Sequence, residues 1–290
     1  MKIIDLHTHS TVSDGSYTPS ELIKLAQEIG IAAIALTDHD TVSGIEEFVD
    51  AGKNIENLET IPGVEISVEN HGRELHIVGL FIDIETPSLL KLLSEIRDNR
   101  NSRNERIIKK LQEMGFDITL QELLNEAGGE SIGRPLLAKI LIEKGYFTEV
   151  QDVFDKALKR GAPAYCQRVL PTPEKAISEI HKAGGIAIWA HPLYRSNNER
   201  SYMRKILRQI SKFGIDGIEA YYSSFSEAQT KKVIELAEEF SIALSGGSDF
   251  HGTNQKGITL GKGYGNLVVP YEILEKLKQR KLDNFNTQTI

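Results

Sequence analysis

Short hydrophobic segments alternate with amphipathic segments through the first part of the chain. The hydrophobic segments are rich in β-branched residues, whereas the amphipathic ones carry hydrophobic positions at helical spacing. This alternation is typical of βα units rather than hairpins, so we expect parallel strands. The predicted strands are Lys2–Leu6, Ala32–Thr37, Glu59–Ile66 and Glu74–Leu80, and the predicted helices are Thr18–Ile29 and Ser43–Lys53.

The same alternation returns in the last third of the chain. It predicts strands at Gly185–Ala190, Gly214–Ala220 and Ala243–Gly247, with Gly265–Val269 as one further candidate, and helices at Thr172–Lys182, Glu199–Phe213 and Ser226–Phe240. The polar tail after Lys281 is expected to be weakly structured.

Strand signals are missing between these two regions. From about Leu89 to Gly161 the sequence consists of charged helical segments, such as N-R-N-S-R-N-E-R-I-I-K-K-L-Q-E-M-G. We therefore predict an α/β fold in which residues 1–88 and 162–290 form one discontinuous unit that carries the strands. Residues 89–161 are expected to form an inserted helical subdomain that covers the active site.

Composition and charge narrow the class of protein. The chain has 290 residues, of which 40% are hydrophobic and 26% charged, and its formal net charge is −7. This charge argues against binding of duplex DNA. No apolar run approaches the ~18 residues that a membrane span needs, so we expect no membrane association and a cytoplasmic location. The single cysteine, Cys166, is interpreted as structural.

Histidines and carboxylates follow the predicted strands. In βα folds, loops at the carboxyl ends of the strands converge on one face, where functional residues gather. An isolated histidine is usually structural, and we interpret His71 and His181 in this way. The residues at or near predicted strand ends are His7, His9, Asp14, His39, Glu65, His191, Asp249 and His251, with His76 inside its own strand.

This set of side chains has the chemistry of a metal site. Neutral imidazoles and carboxylates suit Zn²⁺, Mn²⁺ or Fe²⁺, and one carboxylate can bridge two ions. His7 and His9 are two residues apart, so in an extended segment both side chains point to the same side. The sequence therefore predicts two or three divalent ions on one face of the fold.

The motifs around these residues resemble those of the polymerase and histidinol phosphatase (PHP) family. They read D-L-H-T-H-S, L-T-D-H-D, G-V-E-I, A-H-P and G-S-D-F-H, and they lie on both sides of the insertion. The segment I-G-R-P in the insertion is similar to that of the subgroup acting on nucleoside 3′,5′-bisphosphates and RNA 5′ ends.

The resemblance implies a distorted (β/α)7 barrel with a trinuclear metal site. It assigns a first ion to His7, His9, Glu65 and Asp249, a second to Glu65, His76 and His191, and a third to Asp14, His39 and His251. Asp14 stands where some relatives have histidine, which favours a harder ion there, such as Mn²⁺ or Mg²⁺. We expect Mn²⁺ as the main cofactor, with Zn²⁺, Fe²⁺ and Mg²⁺ as alternatives.

A phosphorylated substrate needs cationic side chains as well as metal ions. Arg134 precedes a proline that opens a predicted helix, and helix N-termini favour anions. Arginine also binds two phosphate oxygens at once through its planar guanidinium group. The candidate phosphate-binding residues are Arg134, Lys159, Arg160 and Arg195.

These features predict phosphomonoester hydrolysis by metal-activated water. The expected substrates are nucleoside 3′,5′-bisphosphates, which would lose the 3′-phosphate, and short 5′-phosphorylated oligoribonucleotides. One alternative is a phosphatase of histidinol phosphate or another small phosphomonoester. A different class is a metal-binding module without turnover. Amide hydrolysis is disfavoured because related metal barrels use a bridging lysine, and no lysine lies at these strand ends. The sequence implies no protein partner.

Overall fold

The computed structural model describes residues 2–126, 129, 132–193 and 200–288, and its centre is a mixed seven-stranded sheet. The strands follow each other in the sheet in chain order. They are β1 (Ile4–Asp5), β2 (Ala33–Leu36), β3 (Glu59–Asn70), β4 (Arg73–Leu80), β5 (Ile186–Trp189), β6 (Gly217–Tyr222) and β7 (Ala243–Gly247).

Backbone hydrogen bonds join the first and last strands, so the sheet is nearly closed. The amide of Leu6 donates to the carbonyl of Gly246 (3.1 Å), and the amide of Asp249 donates to the carbonyl of His7 (2.9 Å). Helices surround the sheet, and most β-strand residues are buried. The predicted distorted (β/α)7 barrel is confirmed.

The prediction of parallel strands is wrong for β4, which pairs antiparallel with both β3 and β5. Only His71 and Gly72 connect β3 to β4, too few residues for the helix that a parallel connection requires. Both have positive φ, +51° and +78°, as the central residues of a type I′ hairpin turn do. Strand β3 also runs to Asn70, beyond its predicted end at Ile66.

Ten α-helices are present among the described residues. Helix α1 begins with a capping box, in which Thr18 and Glu21 bond each other's backbone amides. The helices are α1 (Pro19–Ile29), α2 (Ile45–Gly52), α3 (Pro87–Glu113), α4 (Leu120–Glu126), α5 (Arg134–Glu143), α6 (Val150–Val153), α7 (Pro173–Lys182), α8 (Arg200–Ile210), α9 (Glu227–Phe240) and α10 (Tyr271–Gln288).

Two predictions about the end of the chain are wrong. The tail after Lys281 continues α10 to Gln288, because Leu274 and Leu277 pack this helix against the barrel. The segment Gly265–Val269 forms no strand in the described structure; the carbonyl of Val269 accepts one hydrogen bond from the amide of Ile4 (3.0 Å).

The insertion has a hydrophobic core distinct from the two clusters of the barrel. It contains Ile107, Leu111, Leu137, Leu141 and the buried Cys166, among others. Helix α3 contributes to both regions, because its first turns pack in the barrel core and its last turns in the insertion core. The domain boundaries and the covering role of the insertion remain predictions.

Within the described ranges, every helix is too short or too polar to cross a membrane.

Candidate metal centre

The nine residues predicted as metal ligands gather at one end of the barrel. Six imidazoles and three carboxylates come from different strands and the loops that follow them, but their atoms lie within a few ångströms of one another. They are His7, His9, Asp14, His39, Glu65, His76, His191, Asp249 and His251.

Glu65 lies at the centre of this cluster and is fully buried. Its Oε1 is 2.8 Å from both His76 Nδ1 and His191 Nε2. Its Oε2 is 3.3 Å from the Nε2 atoms of His7 and His9, and 2.9 Å from His39 Nδ1. A carboxylate with imidazoles around both oxygens has the geometry to bridge two ions.

Among the residues that the structure describes, three groups of ligand atoms are compact enough to hold an ion, with all atoms of a group within 4.8 Å of one another. Asp249 Oδ1 approaches His7 (3.4 Å) and His9 (3.1 Å), which together with Glu65 form the first predicted set. The groups are His7–His9–Glu65–Asp249, His9–Asp14–His39–His251, and His39–Glu65–His76. His9 therefore belongs to two groups.

Buried polar atoms without hydrogen bonds support a metal site. Among the described residues, His7 Nε2, both ring nitrogens of His9, His39 Nδ1 and Glu65 Oε2 are buried and make no hydrogen bond. Buried polar atoms nearly always have a partner, because an unpaired one costs ~1–3 kcal/mol. These nitrogen and oxygen donors are those that divalent transition metals bind, so the residues fit the predicted ions.

The carboxylates set the protonation of the imidazoles. Burial lowers the pKa of His9, but the carboxylates of Asp249 and Glu65 have a larger, opposite effect and raise this pKa to about 10. Burial also lowers the pKa of His76, but the nearby carboxylates of Glu65 and Glu74 have the larger effect and raise it to about 10. Conversely, His39, His76 and His7 hold the pKa of Glu65 well below its usual range, although burial opposes them. Without an ion, His9 and His76 are protonated at pH 7.

Metal binding should therefore release protons and strengthen as pH rises. Between pH 6 and 9 we expect the apparent affinity for Mn²⁺ to rise by up to ~tenfold per pH unit for each proton displaced. Calorimetric titration in buffers of different ionisation enthalpy measures the protons released. An affinity independent of pH would contradict this protonation state.

The stability of the metal-free protein should depend on pH in the opposite sense. The pKa values of His9 and His76, about 10 when folded, exceed the unfolded value of ~6.5. Their stabilisation is thus fully present below pH 6.5 and disappears as pH rises through 10. We expect thermal unfolding in EDTA to occur at lower temperature at pH 10 than at pH 7.

Glu219 of β6 belongs to this centre but was missed by the sequence analysis. Its Oε1 is 3.0 Å from His7 Nδ1, and its Oε2 accepts a hydrogen bond from the backbone amide of His191 (2.7 Å). It is 3% exposed. A carboxylate on the far nitrogen of a ligand imidazole fixes its orientation and tautomer. The sequence signal for Glu219 was that it is the one acidic residue in the apolar strand I-E-A-Y-Y.

Replacing Glu219 with glutamine should weaken metal binding while keeping the fold. Loss of an outer partner of a ligand histidine typically costs ~10–100-fold in metal affinity, and we expect this range for Mn²⁺. Calorimetric titration measures it, with Glu227→Gln at the start of α9 as a control. Equal affinities in the two variants would mean that Glu219 does not orient His7.

Two further acidic residues shape the loops that carry the ligands. Asp38 accepts hydrogen bonds from the backbone amide (2.7 Å) and hydroxyl (2.6 Å) of Ser10, and from the hydroxyl of Ser13 (2.5 Å), which fixes the loop before Asp14. Asp40 has φ of +56°, an uncommon value for a residue with a side chain, directly after His39. Such strained positions persist where surrounding bonds hold them.

Of the four residues predicted to bind phosphate, the three that the structure describes do not form one group. Arg134 is partly buried, donates to the carbonyl of Leu158 (2.9 Å), and lies over the ring of Tyr165. Lys159 is exposed and paired with Asp155 (3.0 Å), whereas Arg160 is exposed and donates to the carbonyl of Gly72 (3.1 Å). Arg195 lies outside the described residues. Their phosphate-binding role remains a prediction.

A second set of arginines, missed in the sequence, lies beside the metal ligands. Arg100 of α3 and Arg168 both contact the buried carboxylate of Asp40, Arg168 at 3.1 Å. Arg168 also binds Glu74 (2.8 Å), which lies 3.4 Å from His76 Nε2. These contacts connect the arginines to the residues on either side of the cluster.

Arg103, one turn along α3 from Arg100, is buried among other cations. Burial and the charges of Arg168, Arg100 and Arg134 lower its pKa to about 9. Its guanidinium donates to Asn104 (2.9 Å), yet within the described residues it has no ion pair and its Nε no hydrogen bond. We call Arg100, Arg103, Arg134 and Arg168 the arginine cluster. It lacks an anion.

Comparisons with known proteins agree with this geometry. The PHP domain matches residues 5–166. The chain is 35% identical over 253 residues to the 5′-3′ exoribonuclease Rnm of Escherichia coli K12, covering 86% of this chain and 85% of that protein. It is 34% identical over 265 residues to the 3′,5′-nucleoside bisphosphate phosphatase of Chromobacterium violaceum, covering 90% and 91%.

Solved structures show the same fold. A protein of Bifidobacterium adolescentis, assigned as a metal-dependent phosphoesterase, superposes with a TM-score of 0.83 at 25% identity, covering 96% of both chains. A Chromobacterium violaceum protein described as an amidohydrolase, with bound sulfate, gives 0.82 at 32% identity and the same coverage. The prediction of a hydrolase acting on phosphate esters is confirmed. The chain belongs to the PHP domain family.

Proposed function

We propose that this protein removes the 3′-phosphate of nucleoside 3′,5′-bisphosphates and also acts on short 5′-phosphorylated RNA. The observation that carries the proposal is the cluster of nine predicted ligands around Glu65, in which several buried ligand atoms make no hydrogen bond. The exoribonuclease and the bisphosphate phosphatase among its relatives support the nucleotide substrate.

The nine ligands would hold two or three divalent ions, with Mn²⁺ as the expected metal. Such ions supply Lewis-acid stabilisation of phosphoryl oxygens and lower the pKa of a bound water towards neutrality. Glu65 would bridge, and Glu219 would hold His7 in the orientation needed for binding. The sets are His7, His9, Glu65 and Asp249; Glu65, His76 and His191; and Asp14, His39 and His251.

The arginine cluster would bind the phosphate that does not react. It lies on the His76 side of the site, because Arg168 contacts Glu74 and Glu74 approaches His76. Arg103 is buried there without a carboxylate partner among the described residues. The sulfate in the Chromobacterium violaceum structure supports a place for a tetrahedral oxyanion in this fold. A substrate with two phosphates would thus contact both sites.

Asp40 and Glu74 would fix the position of the arginine cluster relative to the metal centre. Asp40 follows His39, accepts a hydrogen bond from the amide of Ser67 (2.9 Å), and binds Arg100 and Arg168. The backbone amide of Asp40 also donates to the carbonyl of Glu65 (2.9 Å). Asp40, a buried carboxylate with two cationic partners, would lose little freedom on substrate binding, so the spacing between the two phosphate positions would be fixed before the substrate arrives.

Phosphate release from three substrates tests the proposal. Mn²⁺-loaded protein is given adenosine 3′,5′-bisphosphate, a 5′-phosphorylated RNA trimer, and histidinol phosphate. We expect kcat/KM for the bisphosphate to exceed that for histidinol phosphate by at least ~tenfold, or 1.4 kcal/mol. Activity on histidinol phosphate alone would identify a phosphatase of small phosphomonoesters. No release from any substrate, with metal bound, would favour a binding module without turnover.

A further inference from the structure

The tip of the β3–β4 hairpin is surrounded by cations from three elements. Arg73 belongs to the hairpin, Arg160 of the insertion donates to the carbonyl of Gly72 (3.1 Å), and helix α8 lies alongside. The side chain of Asn70 donates to Gln209 of α8 (3.1 Å), which fixes the helix against the tip. We call Arg73, Arg160, Lys205, Arg208 and Lys212 the basic rim.

Most of the charge of the basic rim is not neutralised. Arg73, Arg160, Lys205, Arg208 and Lys212 are all exposed, and in the described part of the chain none has an ion pair within 4 Å. Their neighbours on α8 differ, because Arg200 pairs with Glu235 (2.9 Å) and Arg204 with Glu239 (2.5 Å) of α9. At the tip itself, the carboxylate of Glu69 accepts a hydrogen bond from the amide of Gly72. In a chain of net charge −7, this local excess of positive charge is unusual.

The basic rim lies beyond the metal centre along the same hairpin. Glu65 and His76 are in the body of the hairpin, and Asn70 and Arg73 are at its end. The five residues from Glu65 to Asn70 span ~17 Å at ~3.4 Å per strand residue. Lys205 and Arg208 are three residues apart on one face of α8, and Lys212 lies in the 3-10 turn Ser211–Phe213 that follows this helix. They line a shallow groove with Ser201, Arg204 and Gln209.

An aromatic ring accompanies these cations. Tyr202 of α8 is partly buried, and the guanidinium of Arg73 lies 4.8 Å from the centre of its ring. Surfaces that bind single-stranded nucleic acid combine a positive groove along the backbone with aromatic rings near the bases. A bisphosphate bound at the metal centre is too small to reach the hairpin tip, so these residues have no use in its hydrolysis.

We propose that the basic rim binds the phosphate backbone of single-stranded RNA downstream of the reacting 5′ nucleotides. The inference rests on the proposed function, because it concerns the longer of the two substrate types. In this proposal two surfaces bind the RNA. The metal centre and the arginine cluster bind the first nucleotides, and the basic rim binds the strand that follows.

A double charge reversal on α8 tests the proposal. The variant Lys205→Glu with Arg208→Glu changes only exposed side chains, so the fold should persist. The matched control reverses two exposed lysines on other helices, Lys24→Glu with Lys276→Glu, and has the same net charge. For each protein, kcat/KM is measured with adenosine 3′,5′-bisphosphate and with 5′-phosphorylated RNA of ten nucleotides, at several salt concentrations.

We expect the α8 variant to lose at least ~tenfold in kcat/KM on the ten-nucleotide RNA at low salt, with a shallower salt dependence. Hydrolysis of the bisphosphate should stay within twofold of the unmodified protein, and the control should retain both activities. Equal loss on both substrates, or no loss on the RNA, would overturn the proposal.

A binding measurement separates this proposal from the proposed function. Fluorescence anisotropy of a labelled ten-nucleotide RNA in EDTA reports binding without turnover. We expect weaker binding by the α8 variant than by the control. If the unmodified protein hydrolyses neither substrate but this difference persists, the proposed function fails and the RNA surface stands. If the two variants bind RNA equally, the RNA surface fails, whatever the activity.

Discussion

Replacing His9 with alanine is expected to lower the rate of phosphate release by about a thousandfold or more. His9 belongs to the proposed ligand set of the first ion, so its loss removes a ligand there. Its ring also lies in the compact group that contains the third proposed set, so the neighbouring site is disturbed. Metal ions contribute several kcal/mol of charge stabilisation in the transition state, and each 1.36 kcal/mol corresponds to tenfold in rate, so ~4 kcal/mol gives about 10³.

The measurement is kcat for adenosine 3′,5′-bisphosphate, together with the Mn²⁺ content of the purified variant. His71→Asn is a matched control, because His71 is an exposed histidine in the hairpin turn with φ of +51°, a conformation that asparagine also adopts. We expect the control to keep its metal and its rate. A His9→Ala variant with near-normal activity and metal content would contradict the assignment of ligands.

The second large effect is expected from Arg103→Met. Methionine fills much of the same space without the charge, so the change removes the guanidinium proposed to bind the second phosphate. Hydrogen bonds to charged groups are worth ~1.5–3 kcal/mol, which predicts a ~10–100-fold increase in KM for the bisphosphate. The KM for a small monophosphate, p-nitrophenyl phosphate, should change little, because it has no second phosphate.

Stability distinguishes this binding role from a structural one. Arg103 is buried near three other arginines, which lower its pKa to about 9 together with burial. Removal of one charge from such a group relieves repulsion, so the free energy of unfolding of substrate-free Arg103→Met should stay equal or increase. Arg106→Met is the matched control, on the same helix but exposed. If the variant has a lower free energy of unfolding, and its KM for each substrate equals that of the unmodified protein, Arg103 stabilises the fold and does not bind the second phosphate.

The residues of the proposed metal centre were predictable because the signal for each was local. His7 and His9 follow a short hydrophobic strand, and His39 and His191 likewise follow β2 and β5. In a barrel the strand ends lie close together, so the prediction did not require knowledge of which strands pair. Even the wrong strand direction of β4 did not disturb the prediction of His76, because β4 still places that residue opposite Ser67 of β3.

The residues missed by sequence reasoning depend on contacts between distant segments. Arg103 stands in a polar run that reads as a solvated helix face, and only the packing of α3 between barrel and insertion buries it. Glu219 looks like one acidic residue in a strand until β6 places it 3.0 Å from His7, 212 positions away. The hairpin turn His71–Gly72 was recognisable in principle, since glycine with positive φ favours type I′ turns.

A titration of activity with Mn²⁺ tests whether a metal centre hydrolyses the nucleotide phosphate ester. Protein stripped with EDTA is given increasing equivalents of Mn²⁺ per chain, and phosphate release from adenosine 3′,5′-bisphosphate is measured at each step. We expect no release without metal and a rise to a plateau at two to three equivalents. Full activity in EDTA, or no activity once the ions are bound, would contradict a metal centre that hydrolyses nucleotide phosphate esters.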